Sequence, residues 1–325
     1  MLSLIIPVYK NEANIPSLLE ALCQLQTDHG RDMEVVFVVD GSPDQSLLAL
    51  RNALPGMPFQ TQLLSLSRNF GAFAAIRAGL EAARGSYFAV MAADLQEPPA
   101  LVQQMYDSLA ADECDVAYGE RTKRHDPFLS RMASHTFWQL YRKFVSPDIP
   151  RGGVDIFGCN TYVRDQLLAL TERNSSLVGL LFWVGFRRKS FPYERAEREI
   201  GTSAWTFLKK WKYMQDSIFS FSDLPISLLL GVGFFGMLIS GFVAVAVLIT
   251  ALAGQIDVPG YAATMMALLF FGMLQILSIG VLGIYVWRIY ENTKGRPLHI
   301  VMSTETFSGT ASAPVKRRKA GKTRA

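Results

Sequence analysis

The chain has 325 residues, half of them hydrophobic, with a net charge of +4 and a mean hydropathy of +0.19. That length allows one large domain or two ordinary ones, and that hydropathy argues against a wholly soluble protein. Three cysteines (Cys23, Cys114, Cys159) without metal-ligand spacing and four scattered histidines leave no Cys/His metal framework, so free thiols are expected.

The first strand is read over LSLIIPVY, an apolar run that begins at residue 2, where a signal peptide would otherwise be sought. A helix is expected over 15–26, a strand over MEVVFVVD, a helix near 44–53 and a strand over QTQLLSL. A helix over 71–84 and a strand in SYFAVMAAD follow. Strand–helix alternation predicts a parallel sheet covered on both faces. The 71–84 stretch carries Phe73, Ile76 and Leu80 at helical spacing, with Gly85 where a helix C-terminal glycine would stand. Residues 121–160 start basic and polar, contain SPDIPRGG, and give no clear element. No internal repeat is visible.

Between Asp223 and Asp257, and again between Asp257 and Arg288, runs of 33 and 30 residues carry no charge. A spanning helix needs ~20, so two transmembrane helices are predicted. The loop GQIDVPG between them holds no Lys or Arg, whereas Lys209, Lys210, Lys212, Arg288, Lys294 and Arg296 flank the pair. By the positive-inside rule both flanks and both termini are expected in the cytoplasm. Much of the basic excess therefore sits beside a membrane and does not indicate nucleic acid. Residues 204–221, AWTFLKKWKYMQDSIFSF, set lysines and large aromatics at helical period; an interfacial helix is expected, with a surface helix as the alternative. After Val301 the composition turns to Ser, Thr, Ala and Gly and ends in KRRKAGKTRA, a basic tail either drawn to anionic lipid or simply solvated.

Three strand ends carry acids: PVYKNE (7–12), VDGSPD (39–44) and AADLQEPP (92–99). Each alone reads as an ordinary turn. Together they put carboxylates on one rim of an open sheet, where α/β proteins bind ligands.

These segments, with LSRNFGAFAAIRAGLEAARG, GER at Gly119–Arg121, the R-x-x-R-x-x-G-x-S of Arg195–Ser203, FS-x-x-P at 221–225 and GIYVWRIYENTKGRP, resemble the polyprenyl-phosphate glycosyltransferases of family 2. The resemblance runs from Leu2 to about Val301. It implies a GT-A (Rossmann-like) mixed α/β sheet with helices on both faces, an interfacial helix and two transmembrane helices. It implies transfer of one sugar from a UDP- or GDP-linked donor to undecaprenyl phosphate at the cytoplasmic membrane, with Mg²⁺ or Mn²⁺, by a homo-oligomer. In this frame Pro7, Tyr9 and Glu12 would grip base and ribose, and Asp40 the nucleoside. Asp94 and Gln96 would hold metal and diphosphate. Arg121, Arg131 and Ser134 would meet the acceptor phosphate, and Arg195, Arg198 and Ser203 would close over the donor. Arg68 and Asn69 either contact the donor or shape the turn before the 71–84 helix. The corresponding division is a catalytic domain over 1–203, the interfacial helix over 204–223, a membrane hairpin over 224–289 and a basic tail over 290–325.

The chain departs from the family pattern at Val39 and Ala92, each in place of an Asp, at Ala204 in place of a Lys, and at GGVDIFGCN in place of Gly-Asp-Phe-Arg. With one acid fewer, the metal is expected to bind more weakly or to shift toward Mn²⁺, and Asp155 becomes a candidate donor-site acid. A processive polysaccharide synthase lacks a path through only two spans. A catalytically inactive membrane adaptor is the rival of another class.

Overall fold

Val, Ile, Leu and Phe dominate the first strands because a parallel sheet is buried on both faces. The computed structural model describes residues 1–30, 32–123, 139, 142, 148–150, 154–172, 176–196, 215–222, 224–253 and 260–309. β1 (Leu2–Val8), β2 (Met33–Val39), β3 (Gln60–Leu66) and β4 (Tyr87–Val90) lie parallel. β5 (Val116–Lys123), β6 (Phe157–Asn160), β7 (Arg188–Glu194) and β8 (Val301–Phe307) extend the sheet to eight strands in the order β7-β5-β6-β4-β1-β2-β3-β8. β6 is antiparallel to β4 and β5, β7 is parallel to β5, and β8 is antiparallel to β3. The sheet is mixed, as the family resemblance implies, rather than wholly parallel as alternation alone predicts. One rim therefore gathers the C-terminal ends of β1 to β5 and of β7 with the N-terminal ends of β6 and β8.

α1 (Ile15–His29), α2 (Ser46–Ala53) and α4 (Pro99–Ala110) cover one face. α3 (Ala72–Ala82), α5 (Thr161–Ala169) and α6 (Leu177–Trp183) cover the other. α1 buries Ile15, Leu18, Leu22 and Leu25 and ends at Gly30, whose φ of 59° suits a left-handed cap. α3 is Ala-rich because it rests directly on β1: a Cβ at Gly79 would sit 2.4 Å from Ile5 Cγ2. Gly85 does not cap α3, which ends in extended backbone at Ala83. Its glycine is needed for close approach instead, since a Cβ there would lie 2.7 Å from Ser3 Oγ. At the sheet end remote from the rim, buried Glu34 accepts from Ser3 Oγ (2.7 Å), Gln62 Nε2 (2.8 Å) and Arg84 N–H (2.9 Å), which ties β1, β2, β3 and the α3–β4 turn together.

α7 (Leu224–Leu252) and α8 (Tyr261–Thr293) are each long and apolar enough to cross a membrane, over Leu224–Val243 and Phe270–Thr293. Neither stretch is buried against the rest of the protein. Long apolar helices whose spanning-length stretches lie outside the buried core are compatible with membrane association. Residues 215–221 are helical and join this pair to the domain. Phe221 packs on Gly179 of α6, and Arg288 of α8 bonds Asp216 (2.7 Å) and Ser220 (2.9 Å). The remainder of the expected interfacial helix, 204–214, lies outside the described residues.

Two expected boundaries differ. α8 continues to Thr293, and residues 301–307, read from sequence as part of a tail, form the edge strand β8. Glu305 on β8 accepts from Arg51 Nε on α2 at 2.9 Å through both oxygens, and Phe307 packs on the core. The apolar hairpin is thus inserted between two strands of one sheet.

Candidate active site

The rim begins with the two loops after β1 and β2, which are laced by short polar side chains. Ser42 Oγ accepts from Lys10 N–H (2.8 Å) and donates to Asp44 (2.6 Å), while Asp44 accepts from the N–H of Glu12 (3.2 Å). Glu12 answers by accepting from Gln45 N–H (3.0 Å). These donors hold the Asp44 carboxyl below its ordinary range even though burial pushes the other way. Pro7 and Tyr9 are half-buried at the same rim and Glu12 is exposed. Lys10 takes a left-handed φ of 56°, which a lysine adopts only when its surroundings impose it.

Asp40, expected from the resemblance to contact the nucleoside, is engaged with backbone amides in the structure. Its two oxygens accept from Phe70 N–H (2.7 Å) and Gly71 N–H (2.8 Å), and it is 2% exposed. It anchors the turn that starts α3. Burial raises its pKa despite those two bonds and nearby Arg68. Gly41 beside it has φ of 57°, and a Cβ there would lie 2.3 Å from the Arg68 carbonyl carbon, so only glycine lets the two loops meet. Arg68 stacks on Phe70 at 4.1 Å, and Asn69 is exposed beside it.

The chemistry-bearing turn follows β4. Leu95 has φ of 54°, so Asp94 and Gln96 are held on a strained corner, and Pro99 then opens α4. Gln96 is docked on the end of β7. Its amide oxygen accepts from Arg195 Nη2 (2.6 Å), its Nε2 donates to Ala196 O (3.2 Å), and its carbonyl accepts from Ala196 N–H (3.0 Å). Beside it Arg121, at the end of β5, pairs with Asp155, which also accepts from Tyr193 Oη (3.0 Å). The antiparallel β6 is what brings Asp155 here.

Sequence reasoning missed two members. Tyr193 lies one residue before β7 ends, with its hydroxyl pushed well above the ordinary tyrosine range by burial and by Asp155. Glu97 is wholly buried, and its carboxyl is raised to about 7, chiefly by burial, then by the charge of Asp155, with Arg195 and Arg121 opposing. The signal for Glu97 was its place beside Asp94 and Gln96, hidden because an acid before Pro-Pro reads as a turn. Of the remaining expected site residues, Arg131, Ser134, Arg198 and Ser203 lie outside the described residues.

A raised carboxyl pKa makes the folded state hold a proton that the unfolded chain has released. Wild-type stability therefore falls as pH rises from about 4.5 to about 7. Glu97→Gln should abolish that slope, so the variant gains on wild type by on the order of 1–3 kcal/mol between pH 5 and pH 8. Thermal melts at the two pH values check this; parallel shifts in both proteins would contradict it.

Among the described residues, no group of three or more His, Cys, Asp and Glu side chains converges on a metal position. Asp94 and the Gln96 amide oxygen are hard donors, but that oxygen already accepts from Arg195. The donor set fits a divalent cation that arrives with phosphate oxygens and keeps water in its shell.

Acids and guanidinium groups gather on the rim of an open α/β sheet, where proteins of this class bind ligands. Residues 3–171 match the model of glycosyl transferase family 2, and the chain belongs to that family. It is a glycosyltransferase with a GT-A domain. It is 34% identical to the putative glycosyltransferase CsbB of Bacillus subtilis over 93% of this chain and 91% of that one. It is 32% identical to the SfII prophage-derived bactoprenol glucosyl transferase of Shigella flexneri over 92% and 97%. Among solved structures, glucosyl-3-phosphoglycerate synthase from Mycobacterium tuberculosis with Mn²⁺, UDP-glucose and phosphoglyceric acid aligns at 15% identity and a TM-score of 0.48, over 67% of this chain and 77% of that one. That likeness is too distant to bear on the site.

Proposed function

We propose that the protein transfers a single sugar from a nucleoside-diphosphate donor to the phosphate of a polyprenyl lipid, undecaprenyl phosphate, at the cytoplasmic face of the membrane. The observation that carries this reading is the joining of one rim, bearing Asp94, Gln96, Arg121, Asp155 and Arg195, to two helices whose apolar stretches lie outside the buried core. A water-soluble donor and a lipid acceptor need such a pairing. The relatives named bactoprenol glucosyl transferase support the lipid acceptor and favour glucose as the sugar. UDP-glucose leads, with GDP-linked sugars open.

The acceptor phosphate is already an anion at neutral pH and needs no general base. Its oxygen attacks the anomeric carbon as the bond from that carbon to the diphosphate breaks, and the nucleoside diphosphate leaves with the electron pair. Rate then depends on positioning and on neutralising two sets of phosphate charge. Arg195, held by Gln96 beside the Asp94 turn, is proposed to meet the donor diphosphate, and Arg121, paired with Asp155, the acceptor phosphate. Asp94 and Gln96 would hold Mg²⁺ or Mn²⁺, which supplies charge neutralisation for the leaving group when bound. Arg131, Ser134, Arg198 and Ser203 are proposed to complete the two phosphate sites.

The basic flanks of the helix pair support a cytoplasmic domain, both termini cytoplasmic, and two passes through the membrane. Gly231, Gly233, Gly236, Gly280 and Gly283 are small residues on the two apolar helices that would permit close helix contact, and on that ground a homo-oligomer is proposed. The test uses purified protein, undecaprenyl phosphate and labelled nucleotide sugars with Mn²⁺, Mg²⁺ or EDTA. Label passing from one donor into an acid-labile lipid is expected. No label from any donor, together with no nucleotide binding, would leave the inactive adaptor as the better account.

A further inference from the structure

Glu97 is the one member of the acid and arginine cluster to which the proposed reaction gives no task. It follows Gln96 directly, and its side chain is wholly buried. Among the described residues neither of its oxygens has a hydrogen-bond partner, and neither does the buried Nε of Arg195. These groups nonetheless face one another, with Nε 3.7 Å from Oε1. Arg195 is also held through Nη2 by Gln96. Two successive side chains of the turn, one neutral and one anionic, therefore meet one guanidinium at adjacent nitrogens, Nη2 and Nε. Among the described residues the other cation near Glu97 is Arg121, which is committed to Asp155, while Asp94 and Asp155 repel the Glu97 carboxylate. A carboxylate kept from water without hydrogen bonds is unfavourable unless a cation is fixed beside it.

We propose that Glu97 is a positioning residue: its buried carboxylate holds the Arg195 guanidinium at the Asp94 turn, ready for the diphosphate of the donor. The proposal rests on the donor-site reading above. Without the anion, the partner left to Arg195 among the described residues is a neutral acceptor, and its long side chain must be ordered each time a donor binds. Holding it in advance removes that ordering step. Glu97 would then act on donor affinity through Arg195 alone, not by touching the sugar or the acceptor.

The full-length protein in detergent, titrated calorimetrically with UDP and with GDP at pH 8 in Mn²⁺ and in EDTA, tests this as a double-mutant cycle. Glu97→Gln is expected to bind the preferred nucleotide about tenfold more weakly, and Arg195→Ala at least as weakly, with no further loss when the two are combined. The Glu97→Gln protein should also show a raised donor KM with a smaller change in kcat. Glu97→Asp, which keeps the charge and withdraws it by one methylene, should recover part of the affinity, and it replaces Glu97→Gln in the cycle if the latter does not fold. A folded Glu97→Gln that binds like wild type overturns the proposal. So does a Glu97→Gln loss that persists undiminished in the Arg195→Ala background. Wild-type protein that binds neither nucleotide overturns the donor-site reading and the proposal with it.

Discussion

Asp94→Asn is expected to lower sugar transfer by about two to three orders of magnitude, because in the proposed reaction a single carboxylate carries the cation and diphosphate load of this turn. Ala92 offers no second acid, and the Gln96 amide oxygen is shared with Arg195. Asn keeps the size of the side chain and its fit on the corner set by Leu95 but removes the charge. The fold should survive, since Asp94 is only half-buried and lies outside both core clusters. The measurement is initial transfer rate at saturating lipid across a Mn²⁺ series, with a thermal melt as control. Activity within threefold of wild type would remove Asp94 from the reaction.

Ending the chain at residue 299 is expected to abolish the folded catalytic domain, although every residue matched by the family model remains. The deletion takes β8 away from β3, exposes the edge of a strand whose side chains from Thr61 to Leu66 are buried, and strands Arg51 without Glu305. Lost ladder bonds at about 0.5–1.5 kcal/mol each, added to the lost burial of Phe307, approach the 5–15 kcal/mol that holds an ordinary domain together. The bared edge also invites pairing between molecules. Ending the chain at residue 309 instead keeps β8 and should leave stability and transfer near wild type. Size exclusion in detergent and thermal melts separate the two. A monodisperse protein ending at 299, with wild-type melting, would show that β8 is dispensable. The same geometry means that a domain cut at 203, the boundary suggested by the sequence, lacks its own edge strand.

What could be read in the chain itself was whatever has a local cause. The strands and helices from β1 to β4 follow from apolar runs and helical spacing. α7 and α8 follow from two charge-free stretches longer than a bilayer needs, and Asp94 and Gln96 from an apolar strand that stops before Pro-Pro. Each of those signals lies within a window of a dozen or two residues. The tertiary structure alone decided the rest, because its causes join residues far apart in sequence. β8 is a strand only because β3 offers a bare edge some 240 residues earlier. Asp40 turns inward because the amides of Phe70 and Gly71 arrive beside it, a pairing that no periodicity encodes. Asp155 reaches Arg121 and Tyr193 through the antiparallel β6, and Glu97 is wholly buried with Arg195, just past the end of β7, 3.7 Å away. Burial and charge of this kind belong to the assembled rim, so the acid that reads as one more turn residue becomes, in the fold, a carboxyl raised to about 7, chiefly by burial.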